Sequence, residues 1–372
     1  MSHRVLYIQY NNPGAYPPII HSSNLFHEKK WRVSFVGVAD PSTAALRLPE
    51  STEAGCKLVR TDSGLSRFFQ FHWASIMAML KFRPDVLYVS DRPASLAGWM
   101  CSLFTSKHVI YHEHDYAAST NSMKSRLLNW SRHLLMNRAQ QIIIPSADRS
   151  AATVTSKAHQ AKIKIVMNCP STRELGKVRK LTAPSKDNIK LYYHGSIVPN
   201  RIPLHALLAL NGLEMHLAGY MTEGTSTELR ELLKRPQGPL TYHGALASRN
   251  DLAELMVHMD VGLSFMPLVP RDLNEKHMAG ASNKTFDYLA HGLGVLCTDT
   301  KEWRDLFGHI PSVAFCDPMN HQSIEKALRQ LTDCDSSQWS VGEQWIHHTW
   351  NYERQFQPVL DAIDVQFDRH LS

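Results

Sequence analysis

The feature that most constrains the fold of this sequence is a regular alternation of short apolar runs with longer segments of helical character. The runs are rich in Val, Ile, Leu and Tyr, and several, such as Gln141-Ile-Ile-Ile, carry no polar residue at alternate positions. Strands of that kind are covered on both faces, and helices between them make the strands parallel. The pattern therefore predicts doubly wound α/β sheets.

The runs form two series separated by a polar stretch at 173–188 that is rich in Lys, Arg, Thr, Pro and Ser. Such a composition is typical of a linker. We therefore predict two Rossmann-like domains facing across a cleft, at 1–180 and 186–345, and a terminal helix at 346–372 that crosses back to the first domain. Ligands of such sheets bind at the carboxyl ends of the strands. The predicted strands are 5–10, 32–38, 85–90, 108–112, 141–146 and 162–168, then 190–194, 214–218, 240–243, 261–266, 294–298 and 312–316.

Composition excludes several classes of protein. The 372 residues are 43% apolar and 20% charged, which is the balance of a soluble globular protein, and the net charge is +6. That charge is too weak to indicate nucleic-acid binding, although it suits anionic small molecules or an anionic membrane surface. No apolar run reaches the roughly 18 residues of a membrane span.

The cysteines and the first residues of the chain indicate the compartment. None of the six cysteines forms a Cys-x-x-Cys pair, and the apolar surroundings of Cys297 and Cys316 are typical of reduced, buried thiols. The chain enters directly on an apolar run, without the pattern of a secretory signal. We expect a cytoplasmic protein that is soluble or peripheral at the inner face of the membrane.

The segment 281–295 is the most informative for chemistry. It predicts a loop, a helix capped by Ser282 or Asn283 and ended by Gly292, and a strand. The free N–H groups at the start of such a helix suit a diphosphate, and Lys284 adds a positive charge there. Asp287 lies three positions later, near the same face, where it can accept hydrogen bonds from ribose hydroxyls. The alternative is a surface helix with a Lys–Asp pair.

The stretch Ser282-Asn-Lys-Thr-Phe-Asp-Tyr-Leu-Ala-His-Gly-Leu-Gly-Val resembles the donor loop of retaining GT-B glycosyltransferases of the family-4-like group. Segment 193–201 resembles the first strand and loop of the donor domain in the same group. Gly195 lets phosphate approach the backbone, and Arg201 faces the leaving diphosphate unless it is only a solvated loop arginine. The resemblance assigns donor binding to Gly195, Ser196, Gly244, Ser282, Asn283 and Asp287, with the base following Gly244.

Several positions depart from that family pattern. Asp287 stands where the family pattern has a glutamate. The fuller pattern has a second glutamate eight positions earlier, and Ala279 stands there in this chain. Ser196 stands where the pattern has its first basic residue. The departures at Ala279 and Ser196 motivate one alternative function, a catalytically inactive subunit that binds a nucleotide sugar.

In the first half, Val109-Ile-Tyr-His-Glu-His-Asp resembles a strand end of the same group, and His114 matches the family histidine. We expect Glu113, His114 and Asp115 to project into the cleft, with His114 hydrogen-bonding the sugar or moving a proton. The loop 11–16 follows the first strand, where the family has an acceptor loop, although a plain loop remains an alternative. Acceptor binding is therefore assigned to Asn12, Gly14, Glu113 and Asp115, and catalysis to His114, Arg201 and Lys284.

Two basic, apolar stretches, at 67–83 and 124–138, raise the question of a membrane surface. We expect their apolar residues, including Phe69, Trp73 and Trp130, to pack on the sheet, and leave the role of the basic faces open.

The resemblance implies transfer of a sugar from a nucleoside-diphosphate sugar to an acceptor hydroxyl, with retention and without a required metal or other cofactor. The histidines show no spacing suited to a metal site. The expected partners are the donor and a saccharide or lipid-linked acceptor of glycan biosynthesis. A sugar-nucleotide epimerase of the same fold is the alternative enzyme.

Overall fold

The computed structural model describes residues 2–39, 41–43, 46–52, 55–60, 64–104, 108–116, 122–176, 188–210, 212–221, 225–233 and 240–368. The chain divides into two compact units, which we call the first domain (1–168 and 352–372) and the second domain (169–351). Residues 177–187 of the predicted linker lie outside the described residues. The first boundary between the units, after Asn168, precedes the linker that the sequence predicts.

Each domain contains one parallel sheet. In the residues that the structure describes, the first has seven strands in the order β3-β2-β1-β4-β5-β6-β7 and the second has six in the order β10-β9-β8-β11-β12-β13. The strands of the first sheet are β1 (Arg4–Gln9), β2 (Arg32–Val38), β3 (Cys56–Val59), β4 (Val86–Ser90), β5 (His108–His112), β6 (Gln141–Ile144) and β7 (Ile163–Ile165). Those of the second are β8 (Ile189–Ile197), β9 (Leu213–Met221), β10 (Leu240–Tyr242), β11 (Val261–Ser264), β12 (Gly294–Thr298) and β13 (Val313–Cys316).

Helices connect most of the consecutive strands, as is usual for parallel pairing, and a 3₁₀ turn at Pro41–Thr43 lies between β2 and β3. The helices before the linker are α1 (Pro17–Glu28), α2 (Gly64–Phe82), α3 (Asp91–Ser102), α4 (Met123–Arg138), α5 (Ala147–Thr153) and α6 (Lys157–Gln160). Those after it are α7 (Leu204–Leu208), α8 (Thr227–Leu233), α9 (Arg249–Met256), α10 (Leu273–Lys276), α11 (Asn283–Ala290), α12 (Lys301–Phe307), α13 (His321–Thr332), α14 (Ser336–His348) and α15 (Tyr352–Asp368).

The first sheet is buried on both faces. One face packs under α2, α3 and α4 through residues such as Phe71 and Leu135. The other packs under α1 and α15 through residues such as Tyr7 and Phe356. Covering both faces explains why β4, β5 and β6 are fully buried along their lengths and carry unbroken apolar runs.

The structure corrects several sequence expectations about the elements. β3 was missed, because it is a four-residue edge strand with only Val59 buried. β8 continues to Ile197 and so passes through Gly195, where the sequence predicted its end. The single helix expected from 345 onward is broken between α14 and α15, with Trp350 packed on Phe286 in the second domain.

The helices α2 and α4 differ from expectation in their exposure. Phe71, Leu128 and Leu135 are buried against the sheet, as the sequence predicts. Phe69 and Trp73 of α2 are 68% and 67% exposed, and the expectation that they pack on the sheet is wrong. The same correction applies to Met77, Leu127 and Trp130, which are all exposed. No helix in the described part of the chain combines the length and apolar character needed to cross a bilayer.

Candidate active site

The carboxyl edge of the second sheet is formed by glycine backbone. Gly195 in β8 and Gly219 in β9 are register neighbours with φ of +118° and +146°. A Cβ at Gly219 would lie 1.8 Å from the Gly195 carbonyl oxygen, so only glycine fits. Gly244, after β10, also has a positive φ of +74°, and its carbonyl accepts the Gly219 N–H at 2.7 Å. No Cβ therefore projects from the backbone at these three positions.

Two cationic side chains, Lys284 and Arg201, lie beside this edge. A Cβ built at Gly195 would lie 3.3 and 3.4 Å from Cε and Nζ of Lys284, so the lysine covers the glycine. The Lys284 ammonium is also 5.4 Å from the centroid of the Tyr193 ring. Arg201, at the end of a 3₁₀ turn at Pro199–Arg201, donates from Nη1 to Ser196 Oγ at 3.2 Å. The structure thus brings together Gly195, Ser196, Arg201 and Lys284.

The surroundings of the Lys284 amine favour the binding of an anion. Burial, together with the positive charge of Arg201, lowers the pKa of Lys284 to about 7, although Asp287 opposes the shift. An added negative charge would favour the protonated amine and reverse this effect. The two like charges are held close together by the fold, and a diphosphate is the kind of ligand that relieves their repulsion.

The start of α11 adds backbone donors to the same region. Ser282 occupies the N-cap position, but its side chain caps no backbone N–H of the helix. The first N–H groups of α11 are then left for another acceptor, as at other helix ends that bind anions. The helix ends at Ala290, and Gly292 follows with φ of +74°, as the sequence predicts.

Asp287 is the main correction in this domain. The sequence predicts it near the Lys284 face of α11, where ribose hydroxyls could reach it, but it is only 1% exposed. Its carboxylate accepts from Arg249 Nη2 at 2.6 Å and lies 3.2 Å from His194 Nε2. Arg249 in turn donates from Nε to Glu174 at 2.6 Å. Burial alone would raise the pKa of Asp287, but Arg249 and His194 outweigh it and hold that pKa below its usual range.

The sequence reasoning did not identify the partners of Asp287, nor a buried acid beside Arg201. Glu275 is 6% exposed, accepts from Asn200 Nδ2 at 3.0 Å and from Arg271 Nε at 2.8 Å. It therefore ties the turn that carries Arg201 to α10 and to Arg271 just before that helix. The sequence contained a partial indication of this acid. Glu275 is only four residues before Ala279, the position at which the family pattern has its second glutamate.

In the first domain, His114 is buried beyond the end of β5. Its backbone N–H donates to Asp91 Oδ1 at 2.7 Å, and its carbonyl accepts from Arg149. Asp91, the first residue of α3, has a φ of +64°, a left-handed value that residues with a side chain seldom adopt. Burial, with a further contribution from the charge of Arg149, lowers the pKa of His114 to about 3. The imidazole is therefore neutral at pH 7.

Of the two neighbours of His114, Glu113 does not project as expected. Glu113 is buried, and Arg132 grips its carboxylate with Nε at 2.9 Å and Nη2 at 2.6 Å. That carboxylate is thus engaged inside the domain, which corrects the expectation that it reaches toward an acceptor. Asp115 is mostly exposed, and its carboxylate lies 3.8 Å from Arg149.

The loop after β1 is built more tightly than a simple acceptor wall. Asn12 is 5% exposed, accepts the Gly14 N–H and donates to the Thr43 carbonyl at 3.0 Å, so its side chain is used within the loop. A Cβ at Gly14 would collide with the Arg47 carbonyl oxygen at 2.2 Å. The Tyr16 ring that follows lies 5.3 Å from the His114 ring, which brings this loop and His114 together.

A cavity of about 300 Å³ also opens in the first domain, beyond the ends of β1 and β4. It combines aromatic and basic side chains and includes no acid, and the sequence reasoning did not single it out. Its lining residues are Tyr10, Phe68, Arg92, Pro93, Ser122, Lys124, Ser125 and Leu128.

Comparison with known proteins agrees with this architecture. Residues 24–169 match the family described as Glycosyl transferase 4-like domain. No curated protein sequence matches the chain.

Solved structures resemble the chain over nearly its whole length. The Anabaena protein Alr3699/HepE, solved in complex with UDP and glucose, superposes with a TM-score of 0.72 at 15% identity, covering 98% of this chain and 100% of that one. Sucrose-phosphate synthase from Thermosynechococcus elongatus gives 0.71 at 13% identity, covering 99% and 100%. A putative UDP-N-acetylglucosamine 2-epimerase from Listeria monocytogenes gives 0.59 at 14% identity, covering 99% and 98%. The chain has the GT-B fold, and its first domain contains the match to the glycosyl transferase 4-like domain.

Proposed function

We propose that this protein is a glycosyltransferase that moves a sugar from a UDP-sugar to an acceptor hydroxyl. The observation that carries the proposal is the pair of cations, Arg201 and Lys284, held over the glycine backbone of the second sheet. Support comes from the glycosyl transferase 4-like match of the first domain and from the fold shared with an Anabaena protein that binds UDP and glucose.

The donor diphosphate would lie over Gly195, between Lys284 and Arg201, with Ser196 and the backbone at Ser282 and Asn283 as hydrogen-bond donors. Charge develops on the diphosphate as the sugar leaves, and fixed cations and amides stabilise it without reorganisation. The same two cations can do what a divalent metal does in other transferases, so we propose that none is required. The base would follow Gly244.

The structure changes the role proposed for Asp287. Because its carboxylate is engaged by Arg249 and His194, we assign it a positioning role. It holds Arg249, which is itself about one-fifth exposed, and orients His194 directly before Gly195. The ribose would then contact Arg249 or His194. Asp287 would act by holding these two side chains in position.

The acceptor is assigned to the first domain. His114 is neutral and can donate or accept a hydrogen bond to a sugar hydroxyl, while Asp115 is exposed beside it. The cavity lined by Tyr10, Arg92 and Lys124 suits an acceptor with an apolar part and an anionic group. We therefore propose a saccharide or lipid-linked acceptor of glycan biosynthesis. Transfer with retention is proposed from the family resemblance alone.

All six cysteines in the described chain are free thiols, four of them buried. Free thiols persist in reducing compartments, so we propose that the protein acts in the cytoplasm.

The decisive experiment is calorimetric titration with UDP, followed by incubation with UDP-sugars and analysis of UDP release and of the sugar product. We expect UDP to bind and Lys284→Met to weaken it, whereas Lys301→Met, a change at an exposed lysine of the same domain, should leave affinity unchanged. Failure of UDP and of other nucleoside diphosphates to bind would refute the proposal.

The same incubation separates the other candidates. The similarity to a putative UDP-N-acetylglucosamine 2-epimerase favours epimerisation as the second candidate, and it would appear as an epimer of the UDP-sugar with no UDP released. An inactive binding subunit, suggested by Ser196 and Ala279, would bind UDP-sugars and change none of them.

A further inference from the structure

The outer side of α2 carries an apolar stripe in contact with water. Leu65, Phe69, Trp73, Met77 and Leu80 recur at helical spacing, so they share one face, and Leu65 is 75% exposed. Their opposite side, with Phe71 and Met79, packs on the sheet. A solvated helix normally carries polar residues on its outer face, so this helix has two apolar faces.

The apolar surface continues across the neighbouring helices. α3 packs between α2 and α4, and the Trp99 ring of α3 lies 5.4 Å from the Trp130 ring of α4. We call the outer surface of these three helices the α2–α4 face. It adds a second group of exposed apolar side chains: Leu103, Phe104, Met123, Leu127 and Trp130.

The charges of the α2–α4 face have one sign. The segments 64–83, 92–104 and 122–138 contain no Asp or Glu, and the one acid within the three helices, Asp91 at the start of α3, accepts the backbone N–H groups of His114 and Asp115. Their exposed cations are Lys81, Arg83, Lys124, Arg126 and Arg138. On the opposite side of the same sheet α15 carries Glu353, Asp361 and Asp364, and its apolar residues are mostly buried. The apolar stripe is therefore paired with positive charge on one side of the domain only.

We propose that the α2–α4 face docks on an anionic lipid bilayer, with its aromatic and aliphatic side chains among the headgroups and its cations on the lipid phosphates. Tryptophan and phenylalanine favour the interface of a bilayer, and exposed Lys and Arg are attracted to its negative surface. A second copy of the chain is a poorer occupant, because a symmetric contact would place like cations opposite one another. This inference extends the proposed function but does not depend on the donor chemistry.

The test is co-sedimentation of the full chain with vesicles of phosphatidylcholine, alone or mixed with phosphatidylglycerol. We expect strong binding only to the mixed vesicles, weakened by salt. The double variant Phe69→Ser, Trp73→Ser should lower partitioning at least about tenfold, because both side chains lose their burial in lipid. Lys124→Gln and Arg126→Gln should each lower it about fivefold on anionic vesicles.

The matched control uses Val269→Ser and Met319→Ser, which change exposed apolar residues of the second domain (82% and 74% exposed) and should leave binding unchanged. Equal binding of parent and double variant, or no binding by the parent, would overturn the proposal. So would lipid-free self-association that the double variant abolishes, since the occupant would then be a second copy. UDP affinity in the same variants keeps the two proposals separate: vesicle binding without UDP binding refutes only the transferase.

Discussion

The carboxyl edges of the two sheets have the same parallel topology and opposite chemistry. In the second domain the edge is glycine backbone beneath Lys284 and Arg201, and it is suited to an anion. In the first domain the strand end carries side chains whose charges are already balanced or suppressed. Glu113 is paired with Arg132, and burial lowers the pKa values of His112 and His114.

This difference shows that the fold supplies a position for a ligand and the residues at the strand ends decide what binds. A phosphate needs bare backbone and uncompensated cations. A sugar hydroxyl needs neutral donors and acceptors in fixed positions. The following predictions test each edge, from the largest expected effect to the smallest.

The largest effect should come from Asp287→Ala, as a loss of stability. The change leaves the largely buried Arg249 with one carboxylate fewer, which costs about 3–5 kcal/mol. The matched control is Asp299→Ala, because Asp299 is paired with Arg304 at 2.7 Å but lies on the surface. Urea unfolding should show less than about 1 kcal/mol for the control. Equal, small losses of unfolding free energy in both variants would mean that Asp287 does not stabilise Arg249 and His194 in the native state.

Arg201→Ala should slow sugar transfer by roughly 10²–10³-fold, about 3 kcal/mol, because its charge stabilises the departing diphosphate. Uridine affinity should stay unchanged, since the nucleoside lacks that diphosphate. Arg304→Ala serves as the control in the same domain, because its guanidinium is exposed. A turnover number equal to that of the parent would remove Arg201 from the site.

UDP affinity should fall as the pH rises above 7, by up to about tenfold per pH unit. The free protein loses the Lys284 proton near pH 7, so binding of the anion at pH 8 must take a proton up. Calorimetry in buffers of different ionisation enthalpy measures that uptake. It should vanish in Lys284→Met.

The stability of the unliganded protein should respond with the opposite sign. Between pH 7 and about 10 the unfolded chain keeps the lysine proton and the native state does not, so the contribution of Lys284 rises with pH. Comparison of parent and Lys284→Met isolates it. Release of a proton, rather than uptake, when UDP binds would contradict the lowered pKa of Lys284 in the free protein.

His114→Ala should lower transfer by about tenfold, the loss expected of one hydrogen bond, and leave UDP affinity unchanged because the donor groups belong to the second domain. His321→Ala, at an exposed histidine of α13, is the control. Weaker UDP binding in the His114→Ala variant would contradict the assignment of UDP binding to the second domain alone.

The smallest effect is expected from chelation. Treatment with EDTA should leave transfer within about twofold, since Arg201 and Lys284 provide the charge stabilisation that a metal supplies elsewhere. Loss of activity that added Mg²⁺ restores would contradict this prediction.

Sequence periodicity was sufficient for twelve of the thirteen described strands, most clearly for β4, β5 and β6, because a strand covered on both faces needs an unbroken apolar run. It failed for β3, where four residues at the sheet edge bury only Val59. It also failed on the outer side of α2, since the spacing of Phe69 and Trp73 cannot distinguish a face against the sheet from one against water.

By itself, then, the sequence determined the two parallel sheets through its apolar runs, and its family resemblance grouped Gly195, Ser196, Arg201 and Lys284, which lie near the end of β8, in the turn after it and in the first turn of α11. Tertiary structure alone decided the state of the charged groups. Asp287 meets Arg249 from 38 positions away in the chain, and Glu113 meets Arg132 from 19. Whether a carboxylate faces a ligand or is held inside depends on such partners, and burial then sets its charge through desolvation, which no local pattern records.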